Sequence, residues 1–144
     1  MDDLMTNLKK QLALEECTAL LIEDDIFCQK VQSYCLRELG YTVEVVSDAE
    51  TAIRRIEHHA YNLILLDLGL PDQSGELVIR ATREFDMNHE TPLIVATAHA
   101  DGPMQQKCLY LGADVVFIKP FNKQTLARAI DFCHSRIEEL SRFN

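Results

Sequence analysis

Nothing in the 144 residues approaches the run of ~20 apolar residues that a membrane-spanning helix requires. Asp2, Asp3, Lys9 and Lys10 fall in the first dozen residues with no central apolar block, so the pattern of a secretory signal peptide is also missing. There is no CxxC pair and no zinc-type spacing of cysteine and histidine, and five cysteines is an odd number for a disulfide scaffold. The absence of a Gly-x4-Gly-Lys-Ser/Thr loop excludes a nucleotide P-loop. Positive charge is scarce: 14 Lys and Arg stand against 23 Asp and Glu, a formal net charge of −9. Such a surface repels phosphate backbones and anionic lipid, so neither nucleic acid nor a membrane is expected as a direct partner.

What is present suits one compact domain. Hydrophobic residues make up 47% of the chain, and a domain usually holds ~100–200 residues. Cys17, Cys28, Cys35, Cys108 and Cys133 lie in or beside apolar stretches. They read as buried free thiols in a reducing compartment, which makes the cytoplasm the expected location.

Five short apolar runs have strand length: Ala19 to Ile22, Thr42 to Val46, Leu63 to Leu66, Leu93 to Thr97 and Val115 to Ile118. Four are nearly continuously apolar, as strands buried on both faces of a parallel sheet are. The second alternates, with Glu44 between Val43 and Val45, and is expected at an edge. Helical patterns lie between the runs. Phe27, Val31, Cys35 and Leu39 step by four before Gly40; Ser47 and Glu50 have capping-box spacing ahead of Ala49, Ala52, Ile53 and Ile56. Weaker signals cover Glu76 to Phe85 and Pro103 to Leu111, and a last helix from Lys123 carries Leu126, Ile130, Cys133, Ile137 and Leu140. The strict alternation of strand and helix predicts an α/β fold with a parallel five-stranded sheet between two helical layers. Leu4, Leu8 and Leu12 recur every four residues, so residues 1–16 are expected to form a helical leader before a domain at 17–141 and a tail at 142–144.

In such a sheet, ligands bind beyond the carboxyl ends of the strands. The first strand runs into Glu23-Asp24-Asp25, the third ends at Asp67, the fourth at Thr97 and the fifth at Lys119-Pro120. Crowded carboxylates repel one another unless a cation sits among them, and a hard divalent ion such as Mg²⁺ suits oxygen donors. Asp67 would emerge from a buried strand where a carboxylate can act as a nucleophile toward phosphorus. Lys119 would neutralise charge on a transferred phosphoryl group, and Thr97 would hydrogen-bond one of its oxygens.

The blocks ALLIEDD, NLILLDLGLPDQSG, PLIVATA and VVFIKPF, in that order, resemble the signature blocks of the receiver domain of two-component response regulators. The intervals from Asp24 to Asp67 (43), Asp67 to Thr97 (30) and Asp67 to Lys119 (52) match that family. The resemblance covers about residues 17 to 141. It implies a flavodoxin-like (βα)5 fold with strand order 2-1-3-4-5. It makes Asp67 the phosphoacceptor, taking its phosphoryl group from the phosphohistidine of a histidine kinase or a phosphotransfer protein. Glu23, Asp24, Asp67 and the backbone carbonyl of Gly69 would hold Mg²⁺, for which Mn²⁺ would substitute. Thr97 and Lys119 would act on the phosphoryl group, Lys119-Pro120 would be cis, and a downstream protein target or output domain would read the result.

One departure stands out. The family usually has Tyr or Phe three residues before the lysine, whereas this chain has Val116 there and Phe117 one place later, on the opposite face of a strand. The resemblance implies that the surface of the fourth helix, fifth strand and fifth helix serves to form a homodimer or to contact targets, and the leader is a candidate kinase-linker tail or dimer helix. No helix-turn-helix or catalytic output domain occurs in the sequence, so the expectation is either a stand-alone receiver or one belonging to a larger protein such as a hybrid kinase. A degenerate receiver that only binds is disfavoured by the intact acids, Thr97 and Lys119. A dehalogenase-type phosphatase would want Asp where Gly69 stands, and a flavodoxin would want a Ser/Thr-rich loop where Glu23-Asp24-Asp25 lies.

Overall fold

The computed structural model describes Leu4 and residues 17–72, 74–98 and 101–142, with side chains described through residue 137. The leader apart from Leu4, the end of the tail (143–144) and His99 lie outside the described residues. The order is β1 (Thr18–Ile22), α1 (Ile26–Glu38), β2 (Thr42–Val46), α2 (Ala49–His58), β3 (Leu63–Leu66) and α3 (Gly75–Glu84). A 3-10 turn (Asp86–Asn88), β4 (Leu93–Thr97), α4 (Gly102–Leu111), β5 (Val115–Ile118) and α5 (Lys123–Arg142) follow. All five strands are parallel, in the order β2-β1-β3-β4-β5. This is the flavodoxin-like arrangement, with the alternating strand β2 at the edge as its pattern required.

Each face of the sheet builds its own core. Leu20, Ile22, Ile64, Leu66, Leu93 and Val95 point toward α2, α3 and α4, where they meet Ala52, Ile56, Val78, Ile79 and Cys108. Ala19, Leu21, Leu63, Leu65, Ile94 and Ala96 point the other way, onto Cys35 and Leu36 of α1 and onto Leu126, Ala129, Ile130 and Cys133 of α5. Burying each of these larger aliphatic side chains contributes about 1.5–3 kcal/mol. Cys35, Cys108 and Cys133 are buried free thiols as expected, while Cys17 and Cys28 are only half-buried. Burial pushes the Cys133 thiol up to about 12, which leaves it protonated and inert at neutral pH.

Two local readings of the sequence need correction. The cap of α2 is Asp48, not Ser47: the Thr51 N–H donates to Asp48 Oδ1 at 2.7 Å. Asp72, in the loop after β3, adds a second cap by accepting from the Ala49 and Glu50 N–H groups at 2.9 and 3.0 Å. In α1 only the later half of the step-of-four stripe, Cys35 and Leu39, lies on the core face. Phe27 is 74% exposed and Val31 42%, and beside Cys35 the helix buries Gln32, Ser33 and Leu36. The reason is geometric. At 3.6 residues per turn a stripe taken every four residues rotates by about 40° per step, so Phe27 has turned far from Leu39 after three steps.

Polar staples close the amino-terminal edge of the sheet. Asn88, 1% exposed, accepts from the Tyr61 N–H and the Thr91 hydroxyl while its amide donates to the carbonyls of Ile56 and His59. Arg83 donates to the carbonyls of Gly112, His89 and Thr91 and pairs with Asp114 at 3.0 Å. Gly112 ends α4 at φ +128°, and a Cβ there would lie 2.5 Å from Arg83 Cγ. Asn88→Ala is therefore expected to destabilise the fold by about 3 kcal/mol, since it orphans several buried partners. Gly112→Ala is expected to cost about 2 kcal/mol. Both should lower the urea midpoint with an unchanged m-value.

Candidate functional site

Backbone ladders that continue one residue past the strands position the site. The Glu23 N–H donates to the Val46 carbonyl, the Asp67 N–H to the Ile22 carbonyl and the Lys119 N–H to the Thr97 carbonyl, at 3.0, 3.0 and 2.8 Å. Glu23, Asp67 and Lys119 thus start where a rigid sheet ends, and their directions follow from strand alternation. They continue the phase of Leu21, Leu65 and Phe117, which pack toward α1 and α5. Thr97, 6% exposed, continues the opposite phase, that of Leu93 and Val95.

The side chains converge. Glu23, Asp24 and Asp67 each offer a carboxylate oxygen within 4.8 Å of the others. Glu23 is fully buried, Asp67 half-buried and Asp24 exposed, so the cluster opens outward from a closed floor. The Lys119 ammonium lies between two of these acids, hydrogen-bonded to Glu23 Oε1 and 3.4 Å from Asp67 Oδ2. Asp67 Oδ1 accepts from the Gly69 N–H at 3.2 Å, and Glu23 Oε2 from the Asp24 N–H at 3.1 Å. Lys119-Pro120 is cis, as the resemblance implied.

The electrostatics follow from burial. Desolvation and the neighbouring Asp67 push the Glu23 carboxyl up to about 7, with Lys119 pulling the other way. Burial alone would lower Lys119, but its hydrogen bond with Glu23 and the charge of Asp67 outweigh that and hold it above the ordinary lysine value. One ammonium against three acids leaves the pocket negative. A hard dication fits this all-oxygen donor set and would favour the ionised form of every acid in it. Cys28, close by on α1, is pushed up to about 11 by burial and by hydrogen bonds with Asp25 and Glu23, so its thiol does not compete as a nucleophile.

The structure brings together Glu23, Asp24, Asp67 and Lys119, and it sets Thr97 at the end of β4, beside β5. Two contributors escaped the sequence reading. Gln29 donates to the Glu23 carbonyl at 2.6 Å and to the Ser47 hydroxyl at 3.2 Å, tying the acidic loop to the end of β2. Asp72 ties the loop after Asp67 to the start of α2. In the sequence, a glutamine and an aspartate at these places look like any other polar side chains in contact with water. Val116 packs toward α2, α3 and α4, whereas Phe117 turns to the other face, its ring 4.7 Å from that of Phe121. The face shared with Thr97 therefore has an aliphatic residue where an aromatic switch would sit.

His58 and His59 are exposed and lie away from the acids. Among the described residues no helix is long and apolar enough to cross a membrane. The chain is 36% identical over 107 residues to the transcription factor SKN7 of Saccharomyces cerevisiae, covering 74% of this chain and 17% of that protein. It is 31% identical over 110 residues to the response regulator protein TodT of Pseudomonas putida, covering 76% and 48%. The chain thus spans between about a sixth and half of the curated relatives it matches. Among solved structures it resembles the receiver domain of the sensor histidine kinase PA1611 of Pseudomonas aeruginosa, with TM-score 0.73 and 34% identity over 79% of this chain and 93% of that one. That structure has a magnesium ion coordinated in its active-site cleft. The response regulator receiver domain model matches residues 19–131, and with the acids, the lysine and the sheet order in place the chain belongs to the response regulator receiver domain family of two-component signalling.

Proposed function

We propose that residues 17–141 act as a phosphoacceptor unit in the cytoplasm, in which Asp67 takes a phosphoryl group from a phosphohistidine and the altered charge switches protein contacts. The observation that carries this reading is the cluster of Glu23, Asp24 and Asp67 oxygens within 4.8 Å, with the Lys119 ammonium 3.4 Å from Asp67. Glu23, Asp24, Asp67 and the Gly69 carbonyl would hold Mg²⁺ or Mn²⁺; bound there, the ion would offset charge on the phosphoryl oxygens. An Asp67 carboxylate oxygen bonds to phosphorus as the P–N bond breaks, and the P–N electron pair leaves with the imidazole, which departs neutral because the other ring nitrogen of the phosphohistidine carries a proton. Lys119 stabilises the charge on the transferred group and the Thr97 hydroxyl hydrogen-bonds it, so positioning and electrostatics suffice without a separate base. Such a unit is a stoichiometric acceptor rather than a turnover enzyme.

A protein donor must dock beside Asp67. The α1 surface next to the site supplies an apolar platform: Ile26, Phe27, Val31 and Tyr34 are 68, 74, 42 and 63% exposed. Phe27 and Val31 also flank a small cavity of about 110 Å³ with Phe121 and Lys119. An exposed apolar patch at the mouth of a charged site suits an amphipathic helical partner that carries its phosphohistidine over Asp67.

Incubation with Mg²⁺ and acetyl phosphate, followed by intact mass, is expected to show one phosphoryl adduct that is lost in Asp67→Asn. Lys119→Met should slow its formation by about 100-fold. Absence of an adduct in the parent protein, with Mg²⁺ binding seen by calorimetry, would leave a binding-only module instead. Asp24→Asn should weaken Mg²⁺ on the order of tenfold or more, measured by the same calorimetry. The double variant Phe27→Ala/Val31→Ala is expected to slow transfer from a phosphorylated histidine-bearing protein by about tenfold or more while leaving the acetyl phosphate rate unchanged. An equal loss with both donors would place those residues in the fold of the site rather than in docking.

A further inference from the structure

The junction of β2 with α2, Ser47 to Glu50, contributes none of the clustered acids, yet both loops of the acidic site are fastened to it or to the last residue of β2. On one side the Glu23 N–H donates to the Val46 carbonyl at 3.0 Å, and Gln29 bridges the Glu23 carbonyl and the Ser47 hydroxyl. On the other side the Asp72 carboxylate spans the first turn of α2, one oxygen taking the Ala49 N–H and the other the Glu50 N–H, at 2.9 and 3.0 Å. The helix has its own cap in Asp48, which takes the Thr51 N–H. What Asp72 adds is a link between α2 and a loop 23 residues further along the chain. The near end of that loop lies flat against α3. The Gly75 N–H donates to the Leu68 carbonyl at 3.3 Å, and a Cβ at Gly75 would come within 2.8 Å of Leu68 Cα and 3.1 Å of the Asp67 carbonyl oxygen. Leu68 and Leu70 pack onto the core on that side of the sheet, while Gly69 stays exposed with its N–H on Asp67 Oδ1.

We propose that Asp72 is a specificity-determining positioning residue. By clamping the loop after Asp67 to the junction that also holds Glu23, it fixes the width of the metal pocket and makes the pocket select Mg²⁺ over a larger dication such as Ca²⁺. This rests on the reading of Glu23, Asp24, Asp67 and the Gly69 carbonyl as the donor set. Mg²⁺ requires near-octahedral oxygen donors at about 2.0–2.1 Å, whereas Ca²⁺ takes more donors at about 2.3–2.6 Å in loose arrangements, so the rigidity of the donors separates the two ions. Three carboxylates attract either ion; a frame that cannot widen favours the smaller one. The Gly69 carbonyl sits on the segment held between α3 and Asp72, and Glu23 on the loop held to β2, so the junction sets the gap between the two halves of the site. The charge of Asp72 acts on both dications alike and cancels in the ratio of their affinities.

Calorimetric titration of the full chain with Mg²⁺ and with Ca²⁺ measures that ratio. In Asp72→Ala the preference for Mg²⁺ is expected to fall by about tenfold, chiefly through weaker Mg²⁺, the usual scale for a side chain that orients a metal ligand from behind. Asp72→Asn loses the charge but keeps an accepting oxygen toward the two N–H groups, so it should restore most of the preference. Asp72 is exposed and Asp48 still caps α2 in both variants, and urea unfolding without metal checks that each one folds. Linkage makes the effect reciprocal and gives a readout without substitution: saturating Mg²⁺ should slow amide exchange at Ala49 and Glu50 by about tenfold, with Thr51, held by Asp48, as the reference. Equal weakening of both ions in Asp72→Ala, an Asp72→Asn preference as low as that of Asp72→Ala, or unaltered exchange at Ala49 and Glu50 would overturn the brace and leave the metal site standing. A parent chain that binds neither ion would overturn the metal site itself, and the brace with it.

Discussion

The Lys119 ammonium, set between a buried glutamate and an aspartate, is the interaction on which the site depends. Three carboxylates within 4.8 Å repel strongly where one of them is fully buried. Lys119 reduces that repulsion from the inner side, and the exposed Asp24 leaves the outer side open to water and to a dication. The arrangement is asymmetric by design of the sheet: burial falls from Glu23 through Asp67 to Asp24, so a ligand approaches from one direction only. A negatively charged floor with a single lysine repels a free anion, and a dication bound among these oxygens would reverse that balance.

That rim is only as rigid as the sheet beneath it. Glu23, Asp67 and Lys119 each take one more ladder hydrogen bond beyond the last strand residue, so their Cα positions are fixed by the same pairing that buries two apolar cores. The loops between are tied down by side chains rather than left free: Gln29 holds the acidic loop to the end of β2, and Asp72 holds the loop after Asp67 to the start of α2. Asp67 is thereby connected to α2 through Asp72 and to the loop before α5 through Lys119.

The placement of aromatic residues bears on how a change at Asp67 would travel. Val116 sits on the face that Thr97 shares, while Phe117 and Phe121 meet at a tilt on the other face, where Phe121 also borders the cavity between Lys119 and α1. A movement of the Thr97 hydroxyl has no ring to displace at Val116. Lys119 shares that cavity with Phe121, whose ring touches Phe117. That cavity opens on the side that carries the exposed Phe27 and Val31.

Much of this was legible in the chain itself. Continuous apolar runs ahead of Glu23 and Asp67 and up to Thr97 marked strands buried on both faces, and the alternation with helices implied their parallel direction; the equally apolar run before Lys119 instead forms the second edge strand, half-buried with Ile118 49% exposed, because no strand pairs beyond it. The phase of Phe117 against Val116 also followed from alternation alone. Other features needed tertiary packing. The Phe27 to Leu39 stripe looked like a core face, yet rotation along the helix and the position of α5 left Phe27 and Val31 outside and brought Gln32 and Ser33 in. The cap at Asp48, the second cap from Asp72 and the hold of Gln29 on Glu23 join residues far apart in sequence or depend on which of two adjacent polar residues faces the helix. The sequence by itself determined which groups reach the rim, since periodicity is a local property. Only the tertiary structure decided how close they come and how deeply Glu23 is buried, because distance and desolvation are set by what every other element packs against.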